Sequence, residues 1–171
     1  MKTALWLLLL IPNFVIDFLA FPLAPLIVLL DEKRATQWFV WFLTPDNPMT
    51  GDAGHEARWA GRPVYLKKVA WLWRNRANGF ATSVLGARTE GPVSVKGDIR
   101  VSNHPLFEGL VRRSTPEGYW QFYYVKRSFK GRCLRVNLGW KLWGARPSVA
   151  SPRQYVCSIN PLMGYSHEIS S

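Results

Sequence analysis

The stretch TALWLLLLIPNFVIDFLAFPLAPLIVLL, Thr3 to Leu30, carries a single formal charge, Asp17. About 20 helical apolar residues cross a hydrocarbon core of about 30 Å, and this run supplies more. We read residues 1–30 as a membrane anchor with Trp6, Pro12, Asp17, Pro22 and Pro25 as its marked positions. A central Asp costs about 2.5–3.5 kcal/mol on insertion, and each surrounding Leu, Ile, Phe and Val returns about 0.3–0.6 kcal/mol. One carboxylate therefore does not prevent insertion. The prolines bear on shape, because each removes a backbone donor and kinks or ends a helix. Two geometries are open: one long kinked span, or a helix-break-helix wedge dipping into one leaflet near Asn13 to Asp17 or Pro22 to Pro25. Freed backbone groups at membrane depth need partners, which favours the single span. A cleaved secretory signal would use Lys2 and the Leu5–Ile11 run. It lacks a small-x-small site, since Ala20 follows Phe18 and Ala24 follows Pro22 at that spacing.

The charge lies elsewhere. Lys2, Lys33 and Arg34 cancel Asp17, Asp31 and Glu32, so the net +11 belongs to residues 44–171, with 19 Lys and Arg against 8 Asp and Glu. Such a segment seeks polyanions: anionic lipid head groups or nucleic acid. Nine Trp, nine Phe and six Tyr suit a membrane interface and also suit base stacking. The apolar run favours lipid. Lys33, Arg34, Arg58, Arg62, Lys67 and Lys68 come after that run and predict a cytoplasmic C-terminal side. Cys133 and Cys157 are too few for a disulfide framework; they stay thiols in a reducing cytosol and could pair in an oxidising compartment.

We expect an α+β chain in four parts: the anchor, 1–30; an interfacial segment, turn and basic amphipathic helix, 31–90; a β-rich basic domain, 91–146; and an irregular tail, 147–171. Asp31-Glu32-Lys33-Arg34 reads as a polar break, and Gln37 to Leu43 as an interfacial or anchor-packed segment. Thr44 to Asp52 is a turn region. Arg62 to Asn78 is the amphipathic helix, with Tyr65, Leu66, Val69, Leu72 and Trp73 at helical spacing, Pro63 in its first turn and Asn78-Gly79 as its stop. Its Arg62, Lys67, Lys68, Trp71, Trp73, Arg74 and Arg76 are candidate membrane-surface contacts. Val93–Val101, Tyr119–Val125 and Cys133–Leu138 read as strands, with a hairpin turn at Ser128–Gly131. They predict an antiparallel sheet of three to five strands with its cations on one face. Lys126, Arg127, Lys130, Arg132 and Arg135 are the candidate anion contacts there.

Catalytic and cofactor motifs are missing: the sequence has no GxSxG, P-loop, paired CxxC or GxGxxG, so no cofactor is expected. Asp46, Asn47 and Asp52 lack the ligand spacing of a calcium loop, and His55-Glu56 lacks the second His of HExxH, because position 59 is Trp. No metal is expected. His104 and Glu108 fall near the spacing of an acyltransferase His–Asp pair, but the acid is Glu and one position early. We read the chain as non-enzymatic.

Two motifs, WFLTPDNP from Trp41 with Gly51-Asp52 after it and CLRVNLGWKL from Cys133, resemble a family of small uncharacterised proteins of tailed bacteriophages. The helix end WRNRANGF from Trp73 and the Pro-interrupted apolar start are similar too. The resemblance implies a phage accessory protein at the host inner membrane and supplies no catalytic residues. The expected partners are anionic head groups or a membrane protein, with nucleic acid as the alternative.

Overall fold

Helix α1 runs unbroken from Thr3–Ile27 with Pro12, Pro22 and Pro25 inside it. The computed structural model describes residues 2–101, 107–129, 131–143 and 152–164. Its architecture is α+β, and it comprises two units, Leu7–Gly86 and Met1–Trp6 with Ala87–Ser171. The division differs from the expected one, because the first turn of the apolar helix belongs with the sheet and not with an independent anchor. His104, Lys130 and His167 lie outside the described residues.

The unit Leu7–Gly86 is helical. After α1 come α2 (Glu32–Phe39), a 3-10 turn (Val40–Phe42), α3 (Ala53–Arg58), α4 (Val64–Arg74) and α5 (Asn78–Ser83). The expected polar break at Asp31 is a helix start: the Asp31 carboxylate accepts from the Arg34 amide at 2.9 Å, which satisfies one of the unpaired donors of the first turn. Asp52 caps α3 in the same way through the His55 amide, 2.7 Å. Ala24, Ile27 and Val28 from the end of α1 pack with Ala35, Leu43, Met49, Val69, Trp71 and Leu72 to form the core of this unit. Helix α4 is shorter than Arg62–Asn78. Pro63 stands before its first turn and Asn75 ends it. Ala77 then takes a left-handed conformation (φ 51°) and Asn78-Gly79, the expected stop, opens α5. Gly79 has a packing reason, since a Cβ there would lie 2.0 Å from the Val40 carbonyl oxygen.

The other unit is an antiparallel meander with strands in sequence order: β1 (Ser94–Gly97), β2 (Gly109–Ser114), β3 (Trp120–Arg127), β4 (Arg132–Trp140) and β5 (Tyr155–Gly164). β5 corrects the expectation of an irregular tail. It is an edge strand containing Pro161, and edges tolerate the missing donor. Its pairing with β4 is irregular between Cys133 and Arg135. Side chains alternate between two faces. On one, Val111, Tyr123, Val125 and Cys133 pack with Val101, and Trp143 and Met163 partly cover them. On the other, Trp120, Trp140 and Tyr155 pack around Trp6.

That placement puts Trp6, read from the sequence as a position of the membrane anchor, in the sheet unit. Its indole donates to the Val156 carbonyl at 3.2 Å, and the Tyr155 hydroxyl donates to the Trp6 carbonyl at 3.1 Å. Lys2 is held too: its amide donates to the Gly118 carbonyl and its ammonium to the Tyr119 hydroxyl, both at 2.9 Å. The cysteines cannot pair in this fold. Cys133 lies opposite Met163 and Cys157 opposite Leu138, which puts them about 17 Å apart along β4 at 3.4 Å per residue and beyond disulfide reach.

Candidate membrane-contact site

Helix α1 presents two unlike faces. Asn13, Asp17, Ala20, Ala24 and Ile27 recur at spacings of three and four and are buried or half-buried. Between them Leu8, Ile11, Phe14, Val15, Phe18, Leu26 and Leu29 form an exposed apolar stripe, with Phe14 71% and Phe18 68% exposed. The helix is long and apolar enough to cross a membrane. At 1.5 Å per residue, the part outside the sheet unit, Leu7–Ile27, is about 31 Å long.

Asp17 is on the protected side. Its carboxylate meets the Arg76 guanidinium at 3.1 Å, both groups being partly exposed. The single charge of the apolar run is thus turned away from the exposed stripe and paired.

Helix α4 also explains how α1 accommodates Pro25. Pro25 has no amide to give to Phe21, four residues earlier. The Trp73 indole takes that place, donating to the Phe21 carbonyl at 2.9 Å while its ring stacks on Phe21 at 5.0 Å. The Tyr65 hydroxyl serves the Pro25 carbonyl in turn, at 3.4 Å. Three contacts, Tyr65 to Pro25, Trp73 to Phe21 and Arg76 to Asp17, show α4 and the turn after it running back along the second half of α1.

The expected segregation of α4 into a core face and a basic surface face does not occur. Val69, Trp71 and Leu72 are buried, whereas Val64, Tyr65, Leu66 and Trp73 are exposed. Lys67 and Lys68 are half-buried, and Arg62, Arg74 and Arg76 are exposed. Trp71 is therefore not a surface contact. Its indole donates to the Thr44 hydroxyl at 3.1 Å, with the edge of its ring against the buried His55. Gly51 closes over both rings, and the His55 Nε2 pairs with the Lys67 carbonyl at 2.9 Å. Trp38 and Trp41, beside the 3-10 turn, add exposed rings, while Phe39 and Phe42 pack inward.

The sheet cations are split between faces, contrary to expectation. Arg112 and Arg113 are neighbours in β2, as are Lys126 and Arg127 in β3, and neighbours in a strand point to opposite sides. Lys126 pairs with Glu108 at 3.2 Å, and the Arg127 amide donates to the same carboxylate. These bonds, with the backbone one foremost, hold the Glu108 carboxyl below its ordinary range. It has a structural partner set on β3. Arg132 donates to the Leu162 carbonyl at 3.3 Å, and Arg135 is half-buried. Lys126, Arg127 and Arg132 thus gather at the β3–β4 hairpin end and do not form a basic face.

No curated protein and no solved structure matches the chain. Residues 1–167 match a family described as a family of unknown function, DUF7338, and the chain belongs to it.

Proposed function

We propose that this protein is a membrane-bound, non-enzymatic binding protein whose helix α1 lies along the bilayer surface with its exposed apolar stripe in the lipid. The observation that carries this reading is the chain path. Trp6 belongs to the sheet unit, and the chain re-enters that unit at Ala87. If α1 crossed the bilayer, a segment between Val28 and Gly86 would have to cross back. The returning segment is α4 with the turn after it, whose Tyr65, Trp73 and Arg76 touch Pro25, Phe21 and Asp17 and which also carries Lys67, Lys68 and Arg74. Arg74 and Arg76, the two nearest Phe21 and Asp17, would cost about 5–7 kcal/mol at that depth on an insertion scale, against about 0.3–0.6 kcal/mol returned by each large apolar residue. Lying flat, the same stripe sinks about 5–10 Å into the head-group boundary, Trp38, Trp41 and Trp73 suit that level, and the surplus cations favour anionic lipid. Burial of Tyr123, Trp140 and Tyr155 in the sheet unit weighs against base stacking as the main role. In the setting that the phage resemblance implies, the membrane is the host inner membrane, approached from the cytoplasm, and the bound partner is head groups or a membrane protein.

Spin labels on single cysteines at positions 8, 11, 15, 18, 26 and 29, in a variant lacking Cys133 and Cys157, test the orientation in anionic vesicles. A flat helix gives all six a similar shallow depth. A depth profile that deepens to the helix middle and rises again would establish a span and overturn the reading. Labels that remain water-accessible would remove the membrane altogether.

A further inference from the structure

The sheet unit holds a cleft of about 480 Å³ in which Arg113 and Arg153 stand among Val93, Val95, Leu142 and Trp143. Arg113 is 9% exposed, and its Nη1 is buried with no hydrogen-bond partner among the described residues. Gln121, directly across on β3, is already committed: its amide nitrogen donates to Asn137 at 2.9 Å and its oxygen accepts from the Leu142 amide at 3.1 Å. Burial pushes the Arg113 guanidinium below its ordinary range, yet an arginine stays charged at neutral pH.

Positive groups converge on Trp143. Arg113 lies 5.8 Å and Lys141 5.7 Å from its ring, and Arg153 donates to its carbonyl at 3.2 Å. No described carboxylate lines the cleft. Asp98 is held by Arg100, Glu108 by Lys126 and the Arg127 amide, and Glu117 by Thr89 and the Gly91 amide. A buried cation without a counter-charge is costly, and Arg113 stands in this cleft beside an apolar wall. A volume of that size is ordinary for a small-molecule site.

We infer that the cleft binds an organic anion, with a carboxylate or phosphate head on the Arg113 guanidinium and an apolar body against Val93, Val95 and Trp143. Arg113 supplies a fork of donors suited to either head. The inference concerns the sheet unit and holds whether α1 lies flat or crosses.

The test uses the full chain in phosphatidylcholine nanodiscs, titrated calorimetrically with hexyl phosphate, hexanoate and hexanol. Both anions should bind, hexanol at least tenfold more weakly, and Arg113→Met should weaken the anions at least tenfold. Val95→Trp, a change at a half-exposed rim position, should block the anions without lowering the melting temperature. It decides the matter if Arg113→Met unfolds. Nanodiscs with and without phosphatidic acid distinguish the sources, since Arg113-dependent competition by that lipid identifies a membrane head group and its absence a soluble anion. Equal affinity for hexanol and hexyl phosphate, or unchanged anion affinity in the folded Arg113→Met protein or in Val95→Trp, would overturn the inference.

Discussion

Replacing Trp6 by Ala separates an anchor residue from a sheet residue. Trp6 is 8% exposed and packs on Trp120 at 5.4 Å and Tyr155 at 6.0 Å. An aromatic side chain of this kind buries about 150–250 Å², which at about 25 cal/mol per Å² corresponds to about 4–6 kcal/mol. Measured Trp-to-Ala losses of about 3–5 kcal/mol fall in the same range. The lost indole bond leaves the Val156 carbonyl without that donor and adds about 1 kcal/mol. We therefore expect Trp6→Ala to destabilise the sheet unit by about 4 kcal/mol, a large part of the 5–15 kcal/mol typical of a domain. Trp6→Phe, which keeps most of the ring area, should lose about 1–2 kcal/mol. Hydrogen exchange of the β4 and β5 amides reads this directly, because protection there should fall by about three orders of magnitude for the Ala variant. A lipid-facing Trp6 predicts the opposite pattern, weaker vesicle binding with unchanged β4–β5 protection, and that result would refute the packing argument.

Asp17→Asn should leave binding to neutral vesicles unchanged, since Asp17 lies on the face away from the exposed stripe and pairs with Arg76, while the lost ion pair with the partly exposed Arg76 costs at most about 1 kcal/mol of stability; flotation assays and urea melts check both. Gly79→Ala drives a methyl into the Val40 carbonyl and should lower stability by about 1–3 kcal/mol, visible as a drop in melting temperature. The Thr115 side chain, the Glu117 amide itself and the Thr89 hydroxyl hold the Glu117 carboxyl down to about 2 from an ordinary 4.5. Its folded value being the lower one, the stabilisation is complete above about pH 4.5 and disappears as pH falls toward 2. Protection of the Gly91 amide, which donates to Glu117, should be lost over that window, and Glu117→Gln should abolish the pH dependence.

Much of the secondary structure can be read from the residues. The Leu-rich start, the strand formers of β3 and the alternation of β4 declare themselves because each obeys one local period. β2 and β5 are hidden for a physical reason. Glu108-Gly-Leu-Val-Arg-Arg-Ser114 mixes charge into a strand that buries one of its arginines, and β5 carries Pro161, which only an edge position tolerates. The faces of α1 are legible as soon as the helix is granted, but the role of Asp17 is not. Its partner is Arg76, 59 positions away, and no spacing rule reaches that far. The Arg113 cleft leaves one trace in the sequence: two adjacent arginines in a half-buried strand cannot both face water. Trp143 and Arg153 leave none, since their convergence on Arg113 depends on how the chain returns after β4.

The Trp6 contacts also impose an order in time. Its indole and carbonyl meet Val156 and Tyr155, partners 150 and 149 positions further along the chain. At about 5–20 residues per second of synthesis, the first turn of α1 precedes its binding site by about 7–30 s. For that interval the nascent chain displays its most apolar helix with nowhere in its own sheet to put Trp6. A bilayer or a targeting factor can capture the helix well within that delay. On the membrane-bound reading proposed above, engagement with the bilayer comes first, and completion of the sheet around Trp6 is a late event performed on a chain already tethered.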